Sequence, residues 1–184
     1  MIRFINFLLY LLIVKPKSLI RKSILPINNK VKTDAIIVNC KIGSYNYIGE
    51  GCILNKVIMS NYCSIAPRVF IGGAEHDYKK GSTSTYLYPL ISHNHKVTVI
   101  EDDVWVGSGA FIRQGVIVGK GAIIASGSVV LHNVKPYTIV GGVPAKLLKN
   151  RFTDNIKKKI QVIEFQEKDP KSLKKEIEAA LKKS

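Results

Sequence analysis

Residues 104–130 read VWVGSGAFIRQGVIVGKGAIIASGSVV. Within them an aliphatic side chain returns every six positions, at Val106, Ile112, Val118, Ile124 and Val130, and Ile100 carries the same beat one step upstream. A small residue often follows it directly, as in Val106-Gly107, Val118-Gly119 and Ile124-Ala125. A second small or apolar residue tends to fall four positions on, at Ala110, Val116, Ala122 and Ser128. An α-helix would space apolar residues by three and four, and an ordinary strand by two, so neither gives a strict six. A period of six is that of a coil whose flat sides are each one short strand. The aliphatic residue points inward and stacks on its equivalents, and the small residue lets the chain turn the corner. Three such sides close a triangular coil of about 18 residues. The period does not fix the hand of the winding, and the usual crossover rule favours a right-handed one.

The beat recurs upstream at Ile42, Ile48, Ile53, Met59, Ile65 and Ile71, with one side shortened by a residue between 48 and 53. Together the two arrays supply about four coils. Between them the period stops, and residues 72–98 read GGAEHDYKKGSTSTYLYPLISHNHKVT. An interruption of this length inside a repeat is usually functional or disordered, and three of the four histidines lie in it. Downstream, Phe152, Ile156, Ile160, Ile163, Leu173, Ile177 and Leu181 fall at roughly helical spacing. They predict a basic helix over 151–184 that caps the stack. Upstream, MIRFINFLLYLLIV is too short for the roughly 20 residues a bilayer span needs, and basic residues follow it out to Lys22. It predicts an apolar and basic helical segment over 1–32. That segment either packs on the protein's own body or a neighbouring subunit, or rests on anionic lipid through residues 1–22. The central domain then covers 33–150, with its loop at 72–98.

The formal net charge is +15, but its distribution argues against a nucleic-acid partner. Residues 1–32 hold seven Lys/Arg and no acid, the stretch from Lys146 on holds twelve basic and six acidic residues, and the middle is nearly neutral. Charge gathered at the two ends is not the continuous basic face that duplex binding favours. Cys40, Cys52 and Cys63 form no CxxC pair, and one is left over in any disulfide scheme. Reduced, buried thiols in a cytoplasmic protein are the expectation, with a peripheral position at the inner face of the membrane as the variant.

The stretch at 104–130, followed by KPYTIVGGVPAKLLKNRF, resembles the left-handed β-helix acyltransferases built of hexapeptide repeats. The front array, GSYNYIGEGCILNKVIMSNYCSIAPRVFIGG, is most similar to their sugar and xenobiotic branches. The resemblance covers about residues 40 to 152. It implies an all-β, left-handed parallel β-helix with a protruding active-site loop and terminal helices. It also implies acetyl-CoA as co-substrate and a homotrimer with active sites between subunits.

Acetyl transfer from a thioester needs a base for the acceptor's proton, donors for the oxyanion and a grip on CoA. The resemblance implies His76, in Glu-His-Asp ahead of a Ser/Thr-rich stretch and Tyr-Leu-Tyr-Pro, as the base. Imidazole suits that work because it stays largely neutral near working pH. Asp77 is its neighbour in sequence, yet no orienting partner is visible. Trp105 is expected to line the acceptor and thioester tunnel, with Tyr86 nearby. Gly107 and Ser108 are expected at the thioester carbonyl. For CoA, the family pattern carries over onto Ser108, Ser126, Leu131, His132, Lys146 and Lys149. It departs at Leu131-His132, where the family has a hydroxyl and a lysine, and at two lysines that replace arginines. His93 and His95 form a His-x-His pair without the His-x4-His spacing of the β-helix carbonic anhydrases, so no metal is expected. The leading expectation is acetylation of a hydroxyl or amine on a sugar or surface-glycan precursor. A xenobiotic acetyltransferase of the chloramphenicol or streptogramin type is the alternative. A non-catalytic scaffold or a metal-dependent hydratase represents another class.

Overall fold

The computed structural model describes residues 18–89 and 96–182. The expectations for residues 1–17 and for His93 and His95 lie outside them. Among the described residues, seventeen short strands, numbered in chain order, wind a left-handed parallel β-helix of about seven turns. The first face stacks β1 (Leu19–Arg21), β3 (Ile36–Val38), β6 (Ile53–Asn55), β9 (Phe70–Gly72), β12 (Phe111–Ile112) and β15 (Val129–Val130). The second stacks β4 (Lys41–Ile42), β7 (Val57–Met59), β10 (Thr98–Ile100) and β13 (Ile117–Val118). The third stacks β2 (Lys30–Val31), β5 (Tyr47–Ile48), β8 (Ser64–Ile65), β11 (Trp105–Val106), β14 (Ile123–Ile124) and β16 (Thr138–Gly142). On its far edge β17 (Ala145–Asn150) pairs antiparallel with β16 and covers the ladder that the last coil would leave open.

The core follows from the period. Ile48, Ile65, Val106 and Ile124 on the third face, and Ile37, Leu54, Ile71 and Ile112 on the first, are fully buried. Each adds roughly 1.5–3 kcal/mol of apolar burial. The second positions of the hexads, Ala110, Val116, Ala122 and Ser128, are buried beside them.

Three expectations are corrected. Leu54, not Ile53, points inward, so the shortened side falls between Leu54 and Met59, and a second one lies between Ile37 and Ile42. Successive side chains on a strand face opposite ways, and the pair Ile53-Leu54 offers two apolar choices between which composition cannot decide. Second, coiling begins well before residue 33. Residues expected in an N-terminal helical segment instead form β1 and β2, with Leu19, Ile20 and Arg21 in register with Ile36, Ile37 and Val38. These strands, with Val134 and Val140 continuing the inward stack past Val130 at the other end, are why the coils exceed the expected four. Third, the C-terminal region is two helices, α1 (Asp154–Gln161) and α2 (Pro170–Lys182), rather than one. The Asp169 carboxylate accepts from the amides of Lys171 and Ser172 at 2.9 and 3.2 Å, and Pro170 opens α2, a start signal that separates the helices. They run along the edge between the second and third faces rather than across the end of the stack. There Phe165 meets Tyr62 edge-on at 5.8 Å, the Tyr62 hydroxyl donates to the Lys168 carbonyl, and Ile163, Phe165 and Leu173 are buried.

Candidate active site

The loop leaves the prism at the edge between the first and second faces. Two glycines turn it outward: Gly72 and Gly73 have φ of +84° and +88°. A side chain at Gly72 would lie 2.1 Å from the Asn55 carbonyl oxygen, so the exit admits glycine alone. Both feet of the loop are then held by one turn of the next coil. Arg113 donates two parallel hydrogen bonds to Glu75, Nε to Oε1 at 2.7 Å and Nη2 to Oε2 at 3.0 Å. The Lys96 amide donates to Gln114 Oε1 at 3.0 Å, and the Gly115 amide donates to Thr98 Oγ1 at 3.1 Å. The Arg113 hydrogen bonds hold the Glu75 carboxyl below its ordinary range.

His76 follows this anchor. Its Nδ1 lies 2.5 Å from the Thr83 carbonyl oxygen. A carbonyl only accepts, so Nδ1 carries the proton and the neutral ring keeps its lone pair on Nε2. Asp77 does not orient the ring; its carboxylate accepts from the Lys79 amide at 3.1 Å. His76, Arg113, Gln114, Leu131 and His132 border one cleft of about 820 Å³.

The remaining site residues predicted from sequence gather elsewhere. Gly107, Ser108 and Ser126 form a ridge on the edge between the third and first faces. An ideal Cβ at Gly107 would lie 2.5 Å from the Ser126 nitrogen, and the Gly127 amide donates to the Ser108 carbonyl at 2.8 Å. Ser108 Oγ donates to the Pro67 carbonyl at 3.0 Å. Trp105 stands half exposed on the third face between Ser64 and Ile123. Lys146 and Lys149 lie on β17 at the end of that face, opposite Gly141 and Ile139. Tyr86 is almost fully exposed at the loop tip and does not border the cleft. One chain therefore divides the predicted residues between two edges: His76, Leu131 and His132 on one, and Ser108 and Ser126 on the other, with Trp105 and the lysines on the third face.

Glu75, Thr83, Arg113 and Gln114 escaped the reading of the sequence. A signal existed for one of them, because Gln114 lies 18 residues, one coil, after Lys96. Burial pushes the thiols of Cys40, Cys52 and Cys63 up, so all three stay protonated and inert. Among the described residues no cluster of three or more His, Cys, Asp or Glu could hold a metal, and no helix is long and apolar enough to cross a membrane.

Residues 98–132 match the family model of the bacterial transferase hexapeptide with six repeats. A chloramphenicol acetyltransferase of Klebsiella aerogenes is 35% identical, over 63% of this chain and 70% of the relative. The chain belongs to the hexapeptide-repeat acetyltransferases. A probable macrolide acetyltransferase of Lysinibacillus sphaericus is 38% identical over 60% of this chain and 66% of that protein. Among solved structures, the S84T mutant of AntD, an N-acyltransferase from Bacillus cereus in complex with dTDP and coenzyme A, shares the fold. Its TM-score is 0.68 at 20% identity, with 80% of this chain and 84% of that one covered. As a family member the protein is an acyltransferase that uses acetyl-CoA as its co-substrate, which sets the scaffold reading aside.

The anchor beside His76 makes a prediction of its own. Glu75→Gln removes the charge that Arg113 grips, and is expected to lower kcat by roughly threefold to tenfold, the order of one charge-assisted hydrogen bond at an exposed site. KM for acetyl-CoA is expected to move little. The sign with pH follows from the lowered carboxyl. The anchor is complete above the ordinary carboxylate range and is lost as pH falls through the depressed value. The wild type should therefore lose loop protection in acid, measured by hydrogen exchange over 73–89, whereas Glu75→Gln should show that loss at every pH.

Proposed function

We propose that the enzyme transfers acetyl from acetyl-CoA to a hydroxyl of a sugar or surface-glycan precursor, with His76 as general base. Nε2 takes the acceptor's proton as its oxygen attacks the thioester carbonyl, and the Ser108 hydroxyl, beside Gly107, turns from the Pro67 carbonyl to donate to the tetrahedral oxyanion. Collapse breaks the C–S bond, and the CoA thiolate leaves with the proton that the imidazole returns. Ser126, His132, Lys146 and Lys149 hold CoA in this reading, the lysines as point charges for its phosphates. Trp105 walls the tunnel. The observation that carries the reading is the hydrogen bond from His76 Nδ1 to Thr83, which leaves Nε2 free to accept.

The acceptor is argued from the cleft. Lys79, Lys96, Arg113, Gln114 and Asn133 line it, against Leu131, Val116 and the Tyr78 ring as its apolar members. Such a lining suits a polyhydroxylated molecule, which exchanges hydrogen bonds with every wall. The second reading, a chloramphenicol-type acceptor, is favoured by the 35% identity to the Klebsiella aerogenes enzyme. Thiol release from acetyl-CoA across a panel of sugars, nucleotide sugars and chloramphenicol separates the two. Turnover confined to chloramphenicol would remove the glycan reading.

Because the two sets of residues lie on different edges of one prism, the complete site is read as lying between copies in a homotrimer, His76 of one facing Ser108 and Trp105 of the next. His76→Ala and Trp105→Ala proteins, each nearly inactive alone, are then expected to regain activity when co-expressed. Random mixing restores about a quarter of the sites in a cyclic assembly. Co-expressed variants that stay as inactive as either alone would show that each chain works by itself.

A further inference from the structure

The first coil ends all three faces. β1 is the last strand of the first face, β2 of the third, and Ile24 bridges Lys41 at the end of the second. Among the described residues no strand lies beyond them. A solenoid usually closes such an end with a polar cap. Here Leu19, Ile24 and Ile27 are exposed, at 52%, 67% and 53%. Arg21 shares β1 with Leu19, Lys22 and Lys41 line one hollow with Ile24, and Lys30 opens β2; all four cations are exposed. None of the four is in an ion pair among the described residues, and no carboxylate occurs in the chain before Asp34.

We infer that this end of the prism is a docking surface for an anionic lipid bilayer. Three aliphatic side chains set among unpaired cations fit the boundary between headgroups and acyl chains, where apolar burial and attraction to anionic lipid act together. Charge complementarity selects this occupant: apolar packing alone explains Leu19, Ile24 and Ile27 but leaves four cations without a role. Docked in this way, the prism stands on the membrane. The loop bearing His76 leaves the first face three strands above β1, about 15 Å from the lipid at strand spacing. That height suits an acceptor tethered to the bilayer, although the surface itself does not depend on the acceptor.

Co-sedimentation of the full chain with phosphatidylcholine vesicles, with and without added phosphatidylglycerol, tests this. Binding is expected to vesicles containing phosphatidylglycerol and to weaken as salt is raised. Lys22→Gln with Lys30→Gln should lower the partition coefficient roughly tenfold. Ile24→Ser with Ile27→Ser should lower it by a similar factor. Thiol release from acetyl-CoA without vesicles should be unchanged in both, which shows that the variants fold. Equal partition to neutral and anionic vesicles would overturn the inference, as would undiminished binding by both double variants. No binding at all would also overturn it, and would leave the apolar end as a seat for the chain's own residues 1–14.

Discussion

Replacing His76 by alanine is expected to lower kcat by about 10²–10⁴, the contribution of a positioned general base. KM for acetyl-CoA should change little, because the imidazole handles the acceptor's proton and not the CoA chain. His132 borders the same cleft and is the internal control. It is assigned to CoA, so His132→Ala should raise KM for acetyl-CoA by severalfold at nearly constant kcat. Geometry gives the two histidines different work: Nδ1 of His76 is committed to the Thr83 carbonyl at 2.5 Å, which holds the ring in one tautomer, whereas no such hydrogen bond fixes His132 among those described. Steady-state thiol release with a competent acceptor reads both constants. A His76→Ala enzyme with near-normal kcat would remove the proposed base, and a large kcat loss in His132→Ala would exchange the two roles.

What the sequence disclosed follows from how local each signal is. Six-residue spacing is local, and it gave the prism, its inward stack and the buried small positions from Ala110 to Ser128. Loop placement was equally legible, since the beat halts after Ile71 and resumes at Ile100. The frame at Ile53-Leu54 was not, because two adjacent aliphatics satisfy the same composition and pairing with Phe70 and Ile71 in the next coil decides between them. Leu19 and Ile20 hid in the basic stretch 15–22, where two apolar residues between Lys17 and Arg21 are too few to show a period. The Glu75–Arg113 pair spans 38 residues, and only coil arithmetic run across the loop would have brought its ends together. The division of the site over two edges was within reach. Ser108 and Ser126 are 18 residues apart and share an edge, whereas the loop leaves from the corner one side later.

Substituting alanine at Gly107 is expected to lower Tm by about 10 °C, and at Gly109 by only about 3 °C, though the two glycines are two residues apart. The second has the unusual backbone, φ +67°, but nothing within 4 Å of where a Cβ would sit. Its cost is that of a left-handed conformation for alanine, about 1 kcal/mol. Gly107 has no such conformation, yet its Cβ would lie 2.5 Å from the Ser126 nitrogen and 2.8 Å from its Cα. Backbone cannot rotate away, so the coils must part, and the cost reaches about 3 kcal/mol, the upper end of ordinary overpacking. At about 2–4 °C per kcal/mol for a chain of this size, thermal unfolding resolves the difference. Gly43→Ala separates packing from chemistry. Its Cβ would lie 2.6 Å from the Ser60 carbonyl oxygen and 2.8 Å from the Ser60 carbonyl carbon, a like backbone clash on the edge between the second and third faces, away from the ridge of Ser108 and Ser126. It should lower Tm as Gly107→Ala does, but keep kcat well below the transition, where Gly107→Ala should lose turnover as Ser126 is displaced. If both glycine variants kept full turnover, the ridge would be structural, and the oxyanion would have to be held elsewhere.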